Sequence, residues 1–273
     1  MGQVLALVGC GAMGSSLLKG WLTLPDSKER FKAFWVIAPH REKVDPFLED
    51  LRVQWFPSPE LLPQKPDILV FAVKPFMLED ILPLYKPFNS LFISVVSGKS
   101  LRFYEEFLAP PLSLIRAMPN TPVSIHEGVI ALLPNAQVTK DQKKLAEFIF
   151  EGLGLCPWVK SDEDIDKITA ISGSGPAYVF YLIESLALAA ESLGFDKKTA
   201  MDLSLSTFWG ASTYAHTSHE PPNILREQVT SPKGTTAAAL KVFETRGLHA
   251  IMESAIKAAY NRARELGDER KSL

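Results

Sequence analysis

Gly9-Cys10-Gly11-Ala12-Met13-Gly14 stands directly after the apolar run Val4–Val8 and directly before the helical pattern Ser15–Leu24. A strand that turns through GxGxxG into a helix constrains the fold because each glycine has a task. Gly9 permits the tight turn, Gly11 lets the backbone approach a pyrophosphate without a Cβ, and Gly14 lets the helix pack closely on its strand. The helix start then offers free amides and a partial positive charge to phosphate oxygens. A dinucleotide-binding α/β domain is expected here. The competing reading is a glycine turn that serves the chain alone.

Further near-continuous apolar runs follow at Phe34–Ala38, Ile68–Val73, Leu91–Val96, Leu112–Met118 and Val129–Leu133, as in parallel strands buried on both faces. Beyond residue 160 the pattern changes. Ala177–Gly194, Lys197–Tyr214, Thr235–Arg246 and Leu248–Leu266 carry apolar residues at three- and four-residue spacings. Proline divides the chain in the same way: sixteen of the 20 lie within residues 1–160, where strands, turns and short helices tolerate them. The fold class expected is α/β followed by all-α, with a Rossmann-type NAD(P)-binding domain over 1–160 and a helical domain over 161–273. Within the second, Ser174 is expected to cap a helix over Ala177–Leu193, with Pro176 in its first turn and Gly194 as the left-handed residue past its end. His216–Pro222 is expected to be a loop.

With 29 basic and 31 acidic side chains the net charge is −2, which leaves no excess for binding nucleic acid. No apolar run approaches the roughly 18 residues of a spanning helix, and the start lacks a basic leader, so no membrane partner and a cytoplasmic location are expected. Two cysteines, Cys10 and Cys156, make no disulfide framework, and no Cys/His cluster suggests a metal.

The second apolar strand ends Ala38-Pro39-His40-Arg41. An NAD enzyme places a carboxylate there for the ribose hydroxyl; here His40 and Arg41 stand instead, able to face a 2′-phosphate, so NADP is favoured over NAD. Cys10, close to a helix start, is either a thiol of lowered pKa or a small side chain beneath the cofactor, and the second reading is preferred because hydride transfer needs no nucleophile.

Three stretches are richer in Gly, Ser, Thr, Asn and Pro than a core requires: Arg116-Ala-Met-Pro-Asn-Thr-Pro122, Ser172-Gly-Ser-Gly-Pro-Ala-Tyr178 and Thr230-Ser-Pro-Lys-Gly-Thr-Thr236. Hydroxyls and amides at a helix start form an anion site, so Ser231, Thr235 and Thr236 are candidates for holding a small carboxylate. Cap-and-turn chemistry is the competing reading.

In these stretches, in Asp67–Pro75 and in the glycine loop, the chain resembles the pyrroline-5-carboxylate reductases over nearly its whole length. The resemblance implies hydride transfer from NAD(P)H to the C=N bond of 1-pyrroline-5-carboxylate, giving proline. It also implies a helical domain that interlocks with a second subunit, in a homodimer or an oligomer built from dimers. By motif, Gly9, Gly11, Met13 and Gly14 would hold cofactor phosphates. Ala72, Val73, Lys74 and Pro75, with Ser97 and Gly98, would line the nicotinamide half, and Met118, Pro119 and Asn120 would border hydride transfer. Ser231, Thr235 and Thr236 would hold the substrate carboxylate and ring nitrogen, Thr236 as the catalytic hydroxyl, with Gln228 near the pocket. Three features depart from the family pattern: Lys233 where the loop has glycine, Leu188 where a helix commonly has Asp, and Pro39-His40. If the replaced glycine needs φ > 0, Lys233 carries strain.

Two rival readings stand beside this one. A β-hydroxyacid dehydrogenase would need a catalytic lysine, and Lys167 is followed by Ile168-Thr169-Ala170 with no nearby asparagine. A non-catalytic NADP-sensing module would have no use for the extra loops. The five histidines, His40, His126, His216, His219 and His249, are dispersed, which suits a reaction whose hydride comes from the cofactor.

Overall fold

A computed structural model describes residues 2–108 and 110–268, and its strands form one sheet in the order β3-β2-β1-β4-β5-β6-β7-β8. They are β1 (Gln3–Val8), β2 (Phe31–Ile37), β3 (Val53–Phe56), β4 (Ile68–Phe71), β5 (Leu91–Ser94), β6 (Leu114–Pro119), β7 (Gly128–Pro134) and β8 (Gly154–Leu155). β1 through β6 run parallel, with Leu7 opposite Val36 on one side and Val70 on the other. β7, expected to be another parallel strand, is antiparallel to β6. The link over 120–127 is too short for the dozen or so residues that a parallel crossover needs, so the chain returns as a hairpin.

The helices are α1 (Ala12–Thr23), α2 (Ser27–Arg30), α3 (Leu78–Ile81), α4 (Leu101–Phe107), α5 (Lys140–Phe150), α6 (Asp162–Ile168), α7 (Gly175–Ser192), α8 (Lys197–Ser218), α9 (Pro222–Gln228), α10 (Thr235–Thr245) and α11 (Leu248–Asp268). Because β1 is covered on both faces, its residues alternate between two cores. Leu5 and Leu7 join Leu17, Trp21, Phe34 and Phe150, whereas Val4, Ala6 and Val8 join Phe71, Tyr85 and Phe92. The buried Trp21 fastens α1 to α5, its indole N–H donating to the Ile149 carbonyl at 2.8 Å.

Two expectations in the helical part need correcting. Ser174 closes a turn where it was expected to open a helix. A π turn over Thr169–Gly173 carries the chain from α6 towards α7, Ser174 lies in the right-handed region at φ −86°, and its amide donates to the Thr169 carbonyl at 2.9 Å. With helical geometry already in place, the start of α7 does not call for a side-chain acceptor. The stretch from His216 is also helical as far as Ser218. Its polarity marks a solvent face, the Thr217 hydroxyl donates back to the Thr213 carbonyl, and His219 in the left-handed region ends α8. Gly194 does what its position predicts: at φ +99° it receives the chain, with the Gly194 amide donating to Glu191 and the Phe195 amide to Ala190.

The chain forms two compact units. One runs to Ser174 and takes back the chain from Ala259; the other is Gly175–Ala258.

Candidate active site

In the sheet unit, β1 lies between β2 and β4, where the strand order reverses, and dinucleotide crevices open outside the carboxyl ends of strands at such a point. Gly9 has φ +93°, and a Cβ there would lie 2.8 Å from the Ala72 carbonyl oxygen. A Cβ on Gly14 would lie 2.4 Å from the Gly9 carbonyl oxygen, so the close packing of α1 on the loop depends on that residue. Gly11 is different. Nothing in the protein comes within 4 Å of its Cβ position, and as the residue that opens α1 it brings no side-chain cap to the helix amides. An open space over uncapped amides fits a phosphate group and would be filled by any side chain at 11. Met13 packs, half-buried, on the core beneath.

Cys10 is buried in that core, its thiol donating to the Lys43 carbonyl at 3.4 Å. Burial pushes the thiol up and the Lys43 charge only partly opposes this, so it is no ready nucleophile.

His40 and Arg41 follow β2, both exposed. Arg41 Nε donates to Asp45 Oδ1 at 2.6 Å, a pairing that the i,i+4 spacing signals but that the motif reading passes over. At the next strand end Ala72 is buried and its amide donates to Val8, while Val73 is half-buried and Lys74 and Pro75 are exposed. The Lys74 ammonium lies 5.9 Å from the centre of the exposed Phe76 ring. Beyond β5, Ser97 is exposed, and Gly98 passes so close to α11 that a Cβ would lie 3.1 Å from the Leu266 carbonyl oxygen. At the end of β6, Met118 is half-buried and Pro119 and Asn120 are buried. Because β1, β4, β5 and β6 are parallel, all four of these segments follow strand ends on one edge of the sheet.

The other candidates belong to the helical unit. Gln228 ends α9, exposed; Ser231 and Thr235 are exposed and Thr236 is half-buried in the first turn of α10. Gly234 opens α10 without a side-chain cap, and its Cβ position is 2.3 Å from Ser231 Oγ, so glycine is needed to let that hydroxyl in. Lys233 has φ +62°, the strain expected of it, which costs roughly 1–2 kcal/mol. Leu188, on α7, is exposed.

Comparison with known proteins bears on both units. Residues 162–266 match the family model for pyrroline-5-carboxylate reductase dimerisation, and residues 4–98 match one described as NADP oxidoreductase, coenzyme F420-dependent. The chain is 34% identical to the pyrroline-5-carboxylate reductase of Pseudomonas aeruginosa, covering 97% of each chain, and 31% identical to that of Methanosarcina acetivorans, covering 97% of this chain and 98% of the relative. Among solved structures, the Coxiella burnetii pyrroline-5-carboxylate reductase superposes with a TM-score of 0.88 at 36% identity, over 97% of this chain and 99% of the other. The Plasmodium falciparum pyrroline carboxylate reductase, solved with NADP bound, superposes with a TM-score of 0.85 at 30% identity, over 97% and 98%. Identity sustained across both units, and not the nucleotide-binding half alone, makes the chain a member of the pyrroline-5-carboxylate reductase family.

Proposed function

We propose that this chain reduces 1-pyrroline-5-carboxylate to proline. The observation that carries the reading from the structure is the open space over Gly11 above uncapped helix amides. Bound NAD(P)H supplies the hydride. The chain's own residues bind, orient and exclude water. Gly9, Gly11, Met13 and Gly14 hold the phosphates, and Ala72–Pro75 with Ser97, Gly98, Met118 and Pro119 border the nicotinamide half. Ser231 and Thr235 hold the substrate carboxylate, Thr236 orients the ring nitrogen, and Gln228 lies at the pocket edge. A protonated C=N bond is already electrophilic, so a neutral hydroxyl suffices beside it. Against the alcohol-oxidising alternative, no asparagine follows Lys167 within the next turn, and its ammonium lies 2.9 Å from Glu163 and 3.6 Å from Asp164. The test is nicotinamide absorbance followed with the imine under each cofactor: oxidation is expected, and an inert protein with both cofactors overturns the reading.

NADPH is the proposed preferred cofactor, with His40 and Arg41 at the 2′-phosphate. Arg41→Ala is expected to weaken NADPH by about 1–3 kcal/mol and leave NADH unchanged, as loss of a charge-assisted contact does. Equal losses for the two cofactors in a binding titration would remove Arg41 from that role, leaving it only the pairing with Asp45.

Residues 161–273 are proposed as the substrate-binding and dimerisation domain of a cytoplasmic homodimer, or of an oligomer built from dimers. Large apolar side chains there stand open to solvent in the single chain, among them Phe180 at 62% and Trp209 at 76% exposure, far more than a lone soluble unit leaves uncovered. No helix among the described residues is long and apolar enough to cross a membrane. Light scattering at micromolar concentration is expected to give at least the dimer mass; a monomer alone contradicts the proposal.

A further inference from the structure

Asn120 is 7% exposed, and both ends of its amide are engaged. The Val129 amide donates to Oδ1 at 2.8 Å, which closes the hairpin of β6 and β7, and Nδ2 donates to the Ser172 carbonyl at 3.0 Å. The second bond answers a need written in the sequence. In a regular helix the Ser172 carbonyl would accept from the residue four positions on, but that residue is Pro176, which has no N–H. Asn120 supplies a donor from just past the end of β6.

Four residues earlier on β6, Arg116 is also buried, and its guanidinium pairs with Asp162, the first residue of α6. The two ties have matching spans. From 116 to 120 a strand covers about 13 Å, and from 162 to 172 a helix covers about 15 Å. α6 and its π turn are therefore fastened alongside β6 at both ends. Directly beyond the second tie Met118 reaches across to the π turn: a Cβ on Gly173 would lie 2.9 Å from Met118 Cε.

From this we infer that Asn120 is a positioning residue, one that touches no ligand with its amide and fixes Met118 against Gly173 at the edge of the sheet where hydride transfer takes place. The inference rests on the reaction proposed above. It differs from the role that the motif suggests for Asn120, because turning the buried amide towards a cofactor would break its bonds to Val129 and Ser172. Reacting atoms must be held within a few tenths of an ångström, and a misplacement of about 1 Å costs on the order of a hundredfold in rate.

Asn120→Asp separates the two bonds: a carboxylate oxygen still accepts from Val129, while the donor to Ser172 is lost. We expect kcat to fall about tenfold to a hundredfold, with the NADPH dissociation constant unchanged in a fluorescence titration. With NADPH deuterated at the transferred position, the isotope effect on kcat should rise as hydride transfer becomes slower than product release. Gly173→Ala, which displaces Met118 Cε without touching Asn120, should give the same pattern, and Asn120→Ala, which removes the donor to Ser172 without burying a charge, carries the test if the aspartate variant does not fold. A weakened NADPH affinity with kcat retained would make Asn120 a cofactor ligand and overturn the inference. Wild-type kinetics with only a lowered melting temperature would overturn it too, leaving a merely structural bond. Failure of the underlying reaction would show separately, as a wild-type protein that does not oxidise NADPH with the imine.

Discussion

Gly11→Val is expected to abolish cofactor binding in a protein that still folds, whereas Gly14→Val is expected to lose binding and stability together. The contrast follows from where each new Cβ would go. At Gly11 it enters space that no protein atom occupies within 4 Å, and the backbone there, at φ −76°, is one that any residue adopts. The chain therefore loses only the advantage of glycine over valine at a helix start, on the order of 1 kcal/mol. The phosphate loses much more, because two methyl groups take the volume through which backbone and pyrophosphate must approach. At Gly14 the new Cβ meets the Gly9 carbonyl oxygen at 2.4 Å, a backbone atom that cannot step aside without moving the loop. Overpacking of this kind costs about 1–3 kcal/mol. Calorimetric titration with NADPH and thermal unfolding of both variants make the check. If Gly11→Val bound NADPH like the wild type, the cofactor assignment for this loop would fail; if it unfolded like Gly14→Val, the space over Gly11 would not be open.

How much of this was legible beforehand depended on how local the cause was. β1, the glycine loop and α1 follow from neighbours in the chain, an apolar run giving way to a helical period through residues with few alternatives, and the expectation and the structure agree there. The edge strands β3 and β8 carry no comparable signal. Val53–Phe56 has its apolar run broken by Gln54 and is followed by Pro57, and β8 spans two residues. Val129–Leu133 was readable as a strand but not in its direction, which the length of the hairpin link decides. Ser174 reads as a cap because Ser-Gly-Pro before a helical period usually is one, and a π turn leaves no such mark in a single sequence. The candidate site divides along the same line. Its glycines and its hydroxyls are visible as motifs, whereas the sequence leaves open whether position 233 needs φ > 0, and the structure puts Lys233 at +62°. The tie between Asn120 and Ser172 was not visible, since it joins residues whose partnership depends on the turn between α6 and α7.

Thr236→Val should lower turnover about tenfold to a thousandfold while NADPH affinity is unchanged. The substitution is clean for structural reasons. Gly234 opens α10 and no side chain caps it, so removing the Thr236 hydroxyl takes no bond from the helix start. Threonine and valine are close in shape and in helix propensity, so stability should hold. What is lost is one neutral donor beside the position proposed for the ring nitrogen. If that donor acts in the transition state, kcat falls; if it serves only to bind substrate, KM for the imine rises and kcat stays. The first outcome is expected, because Ser231 and Thr235 remain to hold the substrate carboxylate when the Thr236 hydroxyl is gone. Activity should not vanish, since orientation by the remaining groups and the cofactor's hydride persist. Steady-state kinetics with the imine varied at saturating NADPH separates the cases, and a variant with wild-type turnover and wild-type KM would exclude Thr236 from the chemistry and reduce the loop to a helix start.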